Sequence, residues 1–209
     1  IKGEGPQIER PISGDDDIAR LNVFDPREKL GYVLDAIRQI QRELDGRVPL
    51  IGFAGAPFTL ASYAIEGGHS NNFARTKSLM YGHPDSWHAL CDKLSTVVAD
   101  YLVAQIEAGV DCVQVFDSWV GHLNADDYRE FALPHTQKIF AAIQGRVPTI
   151  HFGTGTANIF AEQKEAGGDV IGVDWRIPID EAWTVIGDDR AVQGNRSEEH
   201  TSELQSRET

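Results

Sequence analysis

The stretch DPREKLGYVLDAIRQIQRELDGRVPLIGFAGAP, residues 25–57, decides the fold. Asp25 stands where it can cap a helix, Pro26 falls in the first turn where a missing N–H costs nothing, and Glu28 follows the cap at the spacing of a capping box. Leu30, Val33, Leu34, Ile37, Ile40 and Leu44 then recur at helical spacing until Gly46. Residues 48–54 follow as a short, almost wholly apolar run that reads as a strand. The unit is helix, glycine, strand.

The same unit recurs along the chain. Trp87, Leu90, Leu94, Val98 and Tyr101 mark a helix from Pro84 to about Gly109, and residues 112–116 form the next strand. A helix over about 126–143, interrupted or kinked at Pro134, leads through Gly145 to a strand over 147–152. Two further rounds pair a helix over 157–166 with a strand over 170–173, and a helix over 179–186 with a strand over 191–193. Strands apolar on both faces that alternate with helices predict a parallel sheet covered by helices, as an open doubly wound sheet or a closed barrel. Each strand ends in polar or glycine-rich residues, among them Asp117-Ser118, Gly153-Thr154-Gly155 and Asp174-Trp175. That favours the barrel, whose βα-loops all serve one site, whereas an open sheet uses mainly its switch point.

A (β/α)8 barrel needs eight strands. The readable strands number five, with a further hairpin-like piece over Gly3–Pro11. The expectation is an α/β, TIM-type barrel that is incomplete in this chain, lacking both its N-terminal and C-terminal portions. Residues 1–195 would form this partial barrel domain. From Arg196 to Thr209 the apolar periodicity stops, and the tail resembles a translated sequencing adapter, non-native and disordered. His200 and its acidic neighbours are therefore not read as a metal site. Asp15-Asp16-Asp17 reads as a solvated run that starts a helix.

Composition bounds the function. The net charge of −13 and the lack of a basic run disfavour nucleic acid. No apolar run approaches the roughly 20 residues that cross a bilayer. The two cysteines, Cys91 and Cys112, have no ligand spacing and read as reduced thiols of a cytoplasmic protein.

The chemistry should lie near residues 52–68, GFAGAPFTLASYAIEGG, where two glycines and a proline at a strand end allow close backbone approach and aromatic rings offer flat walls. Taken alone, Phe53, Phe58 and Tyr63 also fit as core residues beneath a strand-to-helix turn. The whole segment resembles the signature of the uroporphyrinogen decarboxylase family. So do Gly3-Glu4-Gly5-Pro6, residues 9–11, residues 116–123 (FDSWVGHL), residues 131–134, residues 170–175 (VIGVDW) and residues 192–195.

The resemblance implies a (β/α)8 barrel, a homodimer when full length, that removes the four acetate carboxyl groups of uroporphyrinogen III to give coproporphyrinogen III. It implies a carboxy-lyase in haem biosynthesis that uses no cofactor and no metal. It assigns substrate binding to Tyr63 and Ser118. The family's catalytic Asp and its Arg pair belong upstream of this chain and a His belongs downstream, so no catalytic residue is assigned here and this chain alone is expected to be inactive.

Other residues carry open readings. Asp117 is a second carboxylate for the cleft or a structural group bonding the next turn. His122 is a loop-orienting group, His151 a core histidine, and Asp174 a partner for Arg176 or for substrate. Phe53 and Phe116 are candidates for contact with the macrocycle. The competing enzyme is a corrinoid-linked methyltransferase, whose zinc needs a His-x-Cys pair; here the stretch is His151-Phe152-Gly153, without the thiolate. A non-catalytic ligand-binding barrel is the alternative outside enzymes.

Overall fold

The computed structural model describes residues 8–68 and 70–195. Most of the hairpin-like piece and all of the tail from Arg196 lie outside them.

The acidic run opens α1 (Asp15–Arg20), where Asp17 accepts from the Ser13 amide (2.8 Å) and hydroxyl (2.6 Å). Asp25 caps as expected, its carboxylate accepting from the Arg27 amide at 2.9 Å, but the helix that it starts is one turn, α2 (Pro26–Lys29). The chain breaks at Leu30 and restarts as α3 (Gly31–Leu44). Leu34 and Ile37 are buried, but Ile40 is 43% exposed, so the apolar stripe is narrower than its spacing suggested. Asp45, left-handed at φ 48°, ends α3 one residue before Gly46.

β1 (Ile51–Gly55) leads into α4 (Pro57–Glu66) and α5 (Ala74–Gly82). Neither helix was enumerated from the sequence; α5 buries only Thr76 and Met80, one turn apart, too few to show a period. α6 (Pro84–Ala108) starts on its proline and stops at Gly109 (φ 111°), both as expected. β2 (Cys112–Asp117) follows, then α7 (Ala125–Asp127), a wide π-turn over Tyr128–Ala132 and α8 (Leu133–Ile143). Pro134, in the first turn of α8, has no N–H for the preceding turn, and the helix widens there instead of running through. β3 (Thr149–Gly153) and α9 (Phe160–Ala166) come next, α9 starting after the expected 157. β4 (Val170–Val173), α10 (Ile179–Ile186) and β5 (Ala191–Gly194) complete the described chain.

All strand pairs are parallel, and their spatial order is β1-β2-β3-β4-β5. A doubly wound sheet reverses direction at a switch point; this one never does, which is how a (β/α)8 barrel proceeds. The register settles the two faces. Ala54, Val115, His151, Ile171 and Val192 share one row. On this side Ala54, Val113 and Val115 pack with Val98 and Leu102 of α6 and Ile139 of α8. On the other side lie Phe53, Gln114 and Ile150, then Phe116 and Phe152. At β1 that second face is open: Ile51 is 45% and Phe53 61% exposed. The described residues therefore form a five-strand arc of a barrel, with helices outside and an accessible interior at its first strand.

A second core packs the helices above the sheet. Trp87, fully buried, donates from Nε1 to the Phe131 carbonyl (2.9 Å) and lies against Phe58, with ring centroids 5.8 Å apart. Burial of each such ring contributes about 2 kcal/mol.

Candidate functional site

The carboxyl ends of β1 and β2 meet at one point. The Ala56 amide donates to the Phe116 carbonyl (2.7 Å), which ties the turn into α4 to the last residues of β2. Thr59 and Tyr63 are four apart on α4 and so share a face. The Thr59 hydroxyl donates to the Asp117 carboxylate (2.7 Å) and accepts from the Trp119 amide (3.2 Å). The Tyr63 ring stacks on Trp119, with centroids 4.0 Å apart and planes 23° from parallel. Ser118 thus sits in a turn held on both sides, one residue from the ring on which Tyr63 lies. Tyr63 and Ser118 are both half-buried, and neither hydroxyl makes a hydrogen bond among the described residues.

An aromatic row lines the interior face beside this point. Phe53 meets Phe116 edge-on at 5.7 Å, and Phe116 meets Phe152 at 5.8 Å. Phe53 is exposed, whereas Phe58 belongs wholly to the core, so the two phenylalanines of the glycine-rich segment separate.

Asp117 is not in the cleft. It falls on the helix-covered face, fully buried, and its function is to accept from Thr59. Burial pushes its carboxyl up to about 7, against the opposing effect of the Thr59 hydrogen bond. His151 lies on the same side and is a core histidine, as read from the sequence. Its Nδ1 lies 3.1 Å from the Gln163 carbonyl and 3.2 Å from that of Gly167, so Nδ1 carries the proton. Burial lowers its pKa to about 4. His122 packs its ring on Phe73 at 4.5 Å, and its carbonyl accepts from Lys77 at 2.9 Å, a loop-orienting role. Asp174 pairs with Arg176, accepts from the Gly155 amide (2.7 Å) and so joins the loops after β3 and β4; Arg176 lies 4.9 Å over the Trp175 ring.

The zinc pair of the competing reading has no place here. His151 turns to the helix side, and a Cβ built on Gly153 would stand 2.5 Å from the Thr156 methyl. Among the described residues no three His, Cys, Asp or Glu side chains are grouped to hold a metal ion.

Sequence reasoning missed Trp119, Thr59 and Phe152 as parts of this site. The i, i+4 spacing of Thr59 and Tyr63 would have put both on one helix face had α4 been delimited, and the strand register pairs Phe152 with Phe116. The Trp119 stack had no signal in the chain, because it depends on how two loops meet.

Among the described residues no helix is long and apolar enough to cross a membrane. The fold resembles a methyltransferase from Methanosarcina mazei, with a TM-score of 0.70 at 20% identity over 90% of this chain and 54% of that one; likeness at this identity concerns the fold. The chain is 56% identical over 195 residues to uroporphyrinogen decarboxylase of Sorangium cellulosum (strain So ce56). It is 53% identical over 199 residues to that of Chloroflexus aggregans (strain MD-66 / DSM 9485). Each alignment covers 93% of this chain and 56% of the relative, so the chain spans about half the length of the curated relatives it matches. Residues 1–201 match the family model described as Uroporphyrinogen decarboxylase (URO-D), and the chain belongs to the uroporphyrinogen decarboxylase family.

Proposed function

We propose that the full-length protein carrying this chain removes the acetate carboxyl groups of uroporphyrinogen III, leaving methyl groups and giving coproporphyrinogen III. Family membership supports this reading. At the level of residues, one observation supports it: Tyr63 stacks on Trp119, the chain neighbour of Ser118, beside an aromatic wall at the strand ends, and neither the Tyr63 nor the Ser118 hydroxyl has a hydrogen-bond partner among the described residues.

In this reading the Tyr63 and Ser118 hydroxyls donate to substrate carboxylates, as charge-assisted hydrogen bonds, and Phe53, Phe116 and Phe152 face the macrocycle. Protonation of the pyrrole α-carbon next to the one that bears the acetate places positive charge on the acetate-bearing carbon and makes the ring an electron sink. The bond between the acetate methylene and its carboxylate then breaks, and its electron pair forms an exocyclic double bond to the ring as carbon dioxide leaves. A second proton completes the methyl group, and the first proton departs from the ring carbon to restore the pyrrole. The substrate itself supplies the sink that a cofactor otherwise provides, so the reaction is read as free of metal and organic cofactor. The acid, the carboxylate facing the pyrrole N–H groups and the Arg pair are assigned to parts of the protein outside this chain.

The same reading makes the full-length protein a cytoplasmic homodimer, and the charge of −13 argues against nucleic acid as a partner. Residues 1–195 are read as the barrel portion and 196–209 as a non-native tail.

The test is kinetic. Tyr63→Phe and Ser118→Ala in the full-length protein should each raise KM for uroporphyrinogen III about tenfold, the worth of one hydrogen bond to a charged group. An unchanged KM in both variants would overturn the site assignment, and absence of carbon dioxide release by the parent protein would overturn the function.

A further inference from the structure

Asp117 is fully buried on the helix side of β2, so it touches nothing in the cleft. Yet it is hydrogen-bonded to the one hydroxyl that also holds the Trp119 amide. A threonine hydroxyl has a single proton. By accepting it, Asp117 fixes the rotamer of Thr59 and leaves a lone pair aimed at the Trp119 N–H. The same helix face then receives the Trp119 ring on Tyr63, and Phe73 closes on that ring at 5.1 Å. The turn that bears Ser118 is therefore clamped at its backbone by Thr59 and at its side chain by Tyr63, four residues apart on α4.

We propose that Asp117 and Thr59 are positioning residues that act through Trp119, setting the distance between the Tyr63 and Ser118 hydroxyls and hence the affinity for the carboxylates of the substrate. This goes beyond the roles of Tyr63 and Ser118 but rests on the reading of them as the substrate-binding pair. A carboxylate that only filled the core would not need to engage the hydroxyl that grips the next turn. The second Asp117 oxygen, Oδ2, has no hydrogen-bond partner among the described residues, so the group is retained in the interior at a cost in desolvation. The Thr59 bond is what that cost supports.

Thr59→Val keeps the shape of the side chain and removes the hydroxyl, while Thr59→Ser keeps the hydroxyl. In the full-length protein, Thr59→Val should raise KM for uroporphyrinogen III about tenfold with kcat changed less than threefold, and Thr59→Ser should return KM to within twofold of the parent. Near-ultraviolet circular dichroism, which reports the Tyr63–Trp119 stack without substrate, should weaken in Thr59→Val and recover in Thr59→Ser. Asp117→Asn, which still offers an oxygen to Thr59, should fall between them in both readouts. If Thr59→Val leaves both KM and the aromatic signal unchanged while Tyr63→Phe and Ser118→Ala raise KM, the positioning role is wrong and the proposed function stands. If the parent protein turns over no uroporphyrinogen, the function fails, and the dichroism still decides whether Thr59 holds the stack.

Discussion

Replacing His151 by leucine should remove an acid-sensitive term from the stability of the protein. The imidazole is completely buried, donates from Nδ1 toward two backbone carbonyls and leaves Nε2 with no partner among the described residues, so a second proton has nowhere favourable to go. Burial lowers the folded-state pKa from 6.5 to about 4. The sign follows from linkage: the folded state binds fewer protons than the unfolded one between these values, so stability is present above pH 6.5 and is lost as pH falls toward 4. At about 1.4 kcal/mol per pH unit, the loss is about 3 kcal/mol, with no discount for solvent at a site without exposure. His135, whose pKa burial also lowers to about 4, acts in the same direction, and Asp117, raised to about 7, acts in the opposite one. The parent and the His151→Leu variant must therefore be compared at each pH. Near pH 7.5 the variant should be less stable by about 1–3 kcal/mol, since the Gln163 and Gly167 carbonyls lose their donor. That deficit should shrink or reverse by pH 4 in urea titrations followed by far-ultraviolet circular dichroism. A difference constant to within about 1 kcal/mol from pH 7.5 to pH 4, or a His151 ring that titrates near 6.5 by nitrogen NMR, would refute the reasoning.

Three further outcomes follow from the packing. Trp87→Phe should cost about 1–3 kcal/mol in urea unfolding, because it strands the Phe131 carbonyl in the upper core. Gly121→Ala should be destabilising by at least about 1–3 kcal/mol and should weaken substrate affinity, because its methyl would run into the backbone of Thr154 and Gly155, which cannot swing aside as a side chain can; a melting temperature equal to the parent's would contradict this. The 209-residue chain expressed by itself should aggregate and show no turnover, since Phe53 is 61% exposed on an unpaired outer strand among the described residues, and a monodisperse, cooperatively melting preparation by light scattering and calorimetry would contradict it.

The strand-helix alternation was legible because its signals are local. The strand at 170–173 and the helix at 179–186 coincide with β4 and α10, and Pro134 marked a helix break through its missing N–H. The face of each strand was not legible. In β2 the apolar residues run through both parities, so nothing in CVQVFD says that Val113, Val115 and Asp117 point outward and Gln114 and Phe116 inward. That ambiguity is what left Asp117 available for the cleft when it belongs to the core. Tyr63 and Ser118 are proposed from resemblance alone, and the contact that joins their segments, the Tyr63–Trp119 stack, is visible only when the loops after β1 and β2 are brought together.

The measurement that bears most directly on the central claim is a mass balance on the purified full-length protein with uroporphyrinogen III, in the presence of a metal chelator. The account predicts stepwise release of four equivalents of carbon dioxide for each substrate consumed, with coproporphyrinogen III as the final product and no loss of rate to the chelator. No carbon dioxide release, or turnover that appears only with zinc and a corrinoid methyl donor, would contradict it.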